Sequence, residues 1–209
     1  MKRQHHIISE KNIQPVFFAP LLSDRKDYIS GSEPAITGSM NSFDQNKGLL
    51  FNGSSGLMWS FSQLAFNPAQ IDIDTSYTML LDFNRTANSG HDVMLEIGIS
   101  WSADLYFMYE ANRKSICVNV RNTRFSGTIA NNELNKQYTN SGFWYDGSNH
   151  IMYRIINGVT DGQASIAVAP TLVNYLYIGQ ASYSGDKMNG YLKNVRFYLS
   201  DFCNEMLLL

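Results

Sequence analysis

The chain has 209 residues, of which 44% are hydrophobic and only 16% charged, and its formal net charge is −2. General disorder is excluded, because it requires low hydrophobicity and high charge. The lack of a basic excess argues against a nucleic-acid partner.

Aromatic residues make up 13% of the chain, with 12 Tyr and 12 Phe, and Ser, Asn and Gly are plentiful. This is the composition of strands and turns. No apolar run approaches the ~20 residues of a membrane-spanning helix, so no membrane insertion is expected.

In chain order, residues 1–14 are polar and aperiodic and read as an N-terminal docking arm. Their basic start lacks the apolar stretch of a secretory leader. From Pro15 a strand is expected at Val16-Phe17-Phe18-Ala19, then a polar loop from Ser23 to Tyr28. Gly48-Leu49-Leu50-Phe51 reads as a strand closed by the turn dipeptide Asn52-Gly53, and Gly56 to Phe61 follows. Tyr77 to Phe83 alternates. In Val93 to Ile99 the alternation places Val93, Leu95, Ile97 and Ile99 on one core face, joined there by Val195 and Phe197.

Further strands are expected at Leu105–Tyr109, Ile116–Val120, Ile151–Ile156, Ser165–Val168, Tyr175–Ile178 and Tyr191–Tyr198. Asn131 to Gln137 suits a helical turn or two. Ser200 opens a short C-terminal helix with a good cap. Strands at this spacing with turns between them predict an all-β, two-sheet antiparallel β-sandwich over residues 15–209. The two cysteines, Cys117 and Cys203, read as small buried hydrophobes.

Three stretches carry a resemblance. They are Phe17-Phe18-Ala19-Pro20-Leu21-Leu22 with Asp24, Asp27, Tyr28 and Gly31; Gly48 to Leu57, with its Phe51-Asn52-Gly53-Ser54-Ser55 turn; and Leu176-Tyr177-Ile178-Gly179 continuing to Asn189-Gly190-Tyr191-Leu192-Lys193-Asn194-Val195-Arg196-Phe197-Tyr198. They resemble the opening strand, the second hairpin and the closing block of laminin-G-like, concanavalin A-like modules. The resemblance implies a jelly roll with its terminal strands close together. It also implies a binding or structural role more often than a glycosidase.

Chemistry is sparse. Glycoside hydrolysis needs two carboxyl groups flanking the scissile bond, and the enzymatic members of this fold carry alternating acids on one strand. Here Asp72-Ile73-Asp74 comes nearest, and Glu96 and Glu110 stand isolated, so no enzyme is expected. His150 reads as a packed residue at a strand start. Sugar binding calls for an aromatic platform with polar partners. The candidates are Trp101 with Asp104, Trp144 with Tyr145 and Asn149, and Tyr183 beside Asp186 and Asn189. Some relatives place calcium ligands where Asp24 and Asp27 stand. Asp186 and Asn189 form a second oxygen cluster suited to Ca2+, a cation that prefers oxygen ligands.

The lectin-like fold without an evident leader is read first as a virion component: a phage head or tail fibre or a decoration protein. It would be made in the host cytoplasm and docked to other virion proteins or to its own copies, and it would bind a cell-surface glycan. The alternative is a bacterial carbohydrate-binding module of a secreted, extracellular protein.

Overall fold

The structure, a computed structural model, describes residues 14–39, 42–66, 71–87, 90–98, 105–120, 123–128, 133–167, 175–182 and 186–199. The N-terminal arm, Ile99 and the expected C-terminal helix lie outside them. Among the described residues the chain forms β1 (Phe17–Ala19), β2 (Ala35–Thr37), β3 (Phe43–Asp44), β4 (Gly48–Asn52), β5 (Gly56–Ser60), β6 (Tyr77–Arg85), β7 (His91–Ile97) and β8 (Leu105–Glu110). It continues with β9 (Ser115–Val120), β10 (Thr123–Phe125), β11 (Gln137–Asp146), β12 (Ile151–Ile156), β13 (Val159–Ser165), β14 (Tyr175–Ile178) and β15 (Asn189–Leu199).

These strands build the expected sandwich. The first sheet has the order β13-β12-β11-β6-β15-β4-β3, with β1 also paired to β15. The second has the order β10-β9-β8-β7-β14-β5-β2. Their inner faces enclose one core, in which Phe17, Trp59, Phe83, Phe107, Phe143 and Leu192 are fully buried. Phe17 meets Trp59 edge-on with centroids 5.2 Å apart, and Phe83 stacks on Tyr138 at 4.7 Å.

Leu95, Ile97, Val195 and Phe197 take their expected core positions, but Val93 does not. The β7–β8 register shifts between Val93 and Leu95. This bulge sets Met94 and Leu95 both into the core and turns Val93 outward, against Tyr106, Met108 and Ala181.

Strand β11 is a second departure, since no strand is predicted there. Its middle reads Thr139-Asn140-Ser141-Gly142, in which Asn140 and Gly142 are weak strand formers. The irregularity is structural as well: the register with β6 slips between Tyr138 and Ser141, and Asn140 takes a φ of 44°. Gly142 lets the two strands approach, because a Cβ there would stand 2.0 Å from the Met79 carbonyl oxygen.

The two Asn-Gly turns differ. Asn157 and Gly158 both have positive φ, 53° and 75°, and join β12 to β13 as a two-residue hairpin, the geometry this dipeptide favours. Asn52-Gly53 instead carries the chain from β4 in the first sheet to β5 in the second. The expected second hairpin is therefore an arch between sheets. The strand expected at Ser165–Val168 lies earlier, at Val159–Ser165.

Phe197 packs against Tyr77 and Phe66 with centroids 5.9 and 5.0 Å away. Truncation by Phe197→Ala is expected to cost about 3–5 kcal/mol, read as a lower urea midpoint with an unchanged slope.

Candidate functional site

The strand order of the second sheet gathers residues that are far apart in sequence onto its outer face. Registers place Arg124 opposite Asn119, Asn119 opposite Tyr106, Tyr106 opposite Glu96, and Glu96 opposite Tyr177. One transverse row therefore runs Arg124–Asn119–Tyr106–Glu96–Tyr177 from β10 to β14. Four strand spacings make it about 19 Å long. Alternation explains the row: Leu105, Phe107, Ile116, Val118, Leu176 and Ile178 point into the core, so the residues between them point out.

The middle of the row is a floor rather than an open surface. Glu96 and Tyr106 are fully buried. Glu96 Oε2 accepts the Ser182 amide at 2.8 Å, which draws the segment after β14 across the sheet, and Ala181 packs there on Val93, Tyr106 and Met108.

The accessible groups stand around this floor. Tyr175, two residues from Tyr177 on the same face, is half-buried, and its ring centroid lies 5.8 Å from that of Tyr177. The Arg124 side chain is 21% exposed and binds Glu110 Oε1 at 2.6 Å; Arg113 Nε holds Glu110 Oε2 at 3.0 Å. Farther along the face, His91 Nδ1 lies 3.5 Å from Asp186.

Glu96 and Glu110 share this face but stand apart on it. Glu96 pairs with Tyr106, and Glu110 lies four residues further along β8. That offset sets their backbones about 14 Å apart, and Glu96 accepts the Ser182 amide. Glu110 is also clamped by two guanidinium groups.

The expected site residues are dispersed. Trp101, Asp104 and Tyr183 lie outside the described residues. Trp144 is buried on the outer face of the first sheet, in a small cluster with Leu80, Ile155 and Tyr198. Its ring stacks on Tyr153 at 4.6 Å, and its indole N–H is buried without a hydrogen-bond acceptor. Tyr145 belongs to the core: its ring packs against Tyr77 and its hydroxyl donates to the Ile73 carbonyl at 2.7 Å. It therefore offers no ligand surface. Asn149 is exposed in the β11–β12 turn, where its Nδ2 donates to Asp146 at 2.8 Å. His150 is not packed as expected; its side chain is 42% exposed and meets Asp74 at 3.0 Å.

The aspartates proposed for a cation are turned to other work. Asp27 is fully buried, and its carboxylate accepts the amides of Phe18, Ile29 and Ser30 at 2.9, 3.1 and 3.0 Å. Asp24 accepts the Tyr28 hydroxyl at 2.9 Å. Asp186 lies by His91, while Asn189 donates its amide to Asp92 at 3.3 Å. Among the described residues no three His, Cys, Asp or Glu side chains group to hold a metal ion. Sequence reasoning missed Tyr106, Asn119, Arg124, Tyr175 and Tyr177 as a set. Each shows only the off-beat parity of its own strand.

Cys117 lies on this same outer face but is buried there, and its thiol approaches Glu110 at 3.7 Å. Burial, followed by the Glu110 charge, pushes its pKa up to about 11. In a Cys203→Ser background, Cys117 is expected to resist iodoacetamide at pH 8 and to react once the chain is unfolded. The unfolded thiol ionises near ~8.5, so native stability should fall as pH rises from there towards 11. A Cys117→Ala comparison isolates that slope.

No family model and no curated protein matches the sequence. Solved structures do. Trypanosoma rangeli sialidase is similar with a TM-score of 0.66 and 17% identity, over 93% of this chain and 31% of its own. This chain thus spans about a third of that enzyme's length. Domain 4 of an extracellular arabinanase from Geobacillus stearothermophilus, solved with arabinotriose, gives a TM-score of 0.65 and 11% identity over 94% and 98% of the two chains. The CBM40 of a Ruminococcus gnavus sialidase gives 0.58 and 12% over 77% and 95%. At these identities the likeness is one of fold, a β-sandwich compatible with the concanavalin A-like class.

Proposed function

We propose that the chain is a non-catalytic carbohydrate-binding module that takes an oligosaccharide across the outer face of the second sheet. Tyr175 and Arg124, the half-buried groups at the two ends of the buried row Asn119–Tyr106–Glu96–Tyr177, carry this reading. A sugar presents an apolar ring face and a belt of hydroxyl groups, so it needs an aromatic surface and fixed polar groups together. Tyr175 offers the ring. Arg124, already oriented by Glu110, offers donors at the far end, and the ~19 Å between them accommodates several sugar units. Glu96 serves beneath as an anchor for the Ser182 backbone.

The comparisons support the same reading at the level of architecture. A domain of the same fold and nearly the same length was solved holding arabinotriose, and the R. gnavus module was solved with α2,3-sialyllactose. The expected virion role finds no support in these neighbours. An extracellular setting fits them better, and among the described residues no helix is long and apolar enough to cross a membrane.

A glycan array that includes arabinotriose and sialyllactose tests the proposal. Binding to at least one glycan is expected, weakened about tenfold by Tyr175→Ala and by Arg124→Ala, with no hydrolysis of reporter glycosides. Turnover that disappears in Glu96→Gln would replace the binding module with a hydrolase.

A further inference from the structure

We propose a second carbohydrate contact, for neutral pyranose rings, on the Tyr28 platform beside β1; it rests on the carbohydrate-binding reading above. Tyr28 is 52% exposed and its neighbour Ile29 is 42% exposed. Large apolar side chains in a polar loop normally turn inward or move freely. Here the backbone beneath them is fixed.

The fully buried Asp27 carboxylate gathers three backbone amides and the Ser30 hydroxyl. The Tyr28 amide donates to the Phe18 carbonyl at 2.8 Å, the Asp27 amide to Ser32 at 2.9 Å, and the Gly31 amide to Asp27 at 2.8 Å. Gly31 sits at a φ of 76°, which glycine adopts without strain. The ring is fixed as well: its hydroxyl donates to Asp24 Oδ2 at 2.9 Å, and Phe18 supports it with centroids 6.2 Å apart.

An immobilised ring loses little side-chain entropy on binding. A buried carboxylate needs its lone pairs filled, and here every donor comes from the loop or from β1, which holds the loop in one conformation. That suits a loop that must present one ring in one orientation. The chemistry around the ring favours a sugar over a protein pocket. Asp24 accepts the Tyr28 hydroxyl and so brings a carboxylate to the ring's edge, and Lys26, two residues away, is exposed. A pyranose stacked on the exposed ring would place its hydroxyls towards these groups. The platform belongs to the β1 side of the first sheet, away from the outer face of the second, so it is a separate contact.

Native affinity electrophoresis through arabinan, xylan and laminarin tests the platform, with melting temperature as the control. The parent should be retarded by at least one polymer. Tyr28→Ala should lose about tenfold in that affinity with its melting temperature unchanged, and Tyr28→Phe, which keeps the ring, should stay within about twofold. If Tyr28→Ala matches the parent on every polymer the parent binds, while Tyr175→Ala does not, the platform is overturned and the module reading stands. If the parent binds none of the three polymers and no arrayed glycan, both fall. A Tyr28→Ala protein that differs only by losing self-association in sedimentation would make the platform a contact between copies and overturn the sugar assignment.

Discussion

Two arginines inside the sandwich fix how its sheets face each other. Arg85, on β6 of the first sheet, is fully buried and binds Asp92 on β7 of the second through Nε and Nη2, at 2.8 and 2.7 Å. Its guanidinium lies 3.3 Å from the centroid of the Tyr109 ring. Arg154, on β12, is equally buried. It pairs with Asp161 on β13 and reaches across to the Ile116 carbonyl on β9 at 2.6 Å. Burial pulls its pKa down to about 10, still charged at neutral pH. Buried pairs of this kind add little net stability, because desolvation offsets the attraction. Their effect is positional: any other stacking of the sheets separates Arg85 from Asp92, at a cost of about 3–5 kcal/mol, and takes the Ile116 carbonyl from Arg154.

The bulge in β7 connects that constraint to the candidate site. Residues two apart on a strand share a face, so Asp92 and Glu96 would point the same way on a regular strand. The extra residue at Met94 breaks the parity. Asp92 then turns inward to meet Arg85, and Glu96 turns outward to hold Ser182. One inserted residue thus serves the core and the outer face together, which is why a bulge here is a feature rather than a defect.

Much of the fold is legible in the sequence because apolar alternation is strong where both neighbouring strands are regular, as in Leu105–Tyr109 and Ile116–Val120. It fails where geometry is irregular. The bulges hide β11 and misplace Val93, and the dipeptide Asn-Gly does not reveal whether the chain folds back within a sheet, as at Asn157, or crosses to the other, as at Asn52. The site is less legible still. Glu96, Tyr106 and Asn119 fall within one meander, but Tyr177 joins them only because β14 inserts beside β7, and no local pattern announces that neighbour. The aromatic candidates Trp144 and Tyr145 are adjacent in sequence yet point to opposite faces of one strand, so at most one of them can share a surface with any third residue.

Four aspartates of this chain share a common use. Asp27 gathers three amides. Asp82 accepts the Asn140 amide at one bulge and the Asn194 side chain at the other, both at 2.8 Å. Asp161 accepts the Thr128 amide at 2.7 Å, and Asp44 accepts those of Asn46 and Lys47, which lower its pKa. A carboxylate whose lone pairs are filled by fixed amides is turned towards the backbone. It is poorly placed to shuttle a proton or to stand beside a second acid. In a chain with few charges, this leaves the surface chemistry to tyrosines, amides and a small number of arginines. The same economy of acids organises the loops, since each of these carboxylates fixes a turn or a bulge through the amides it accepts.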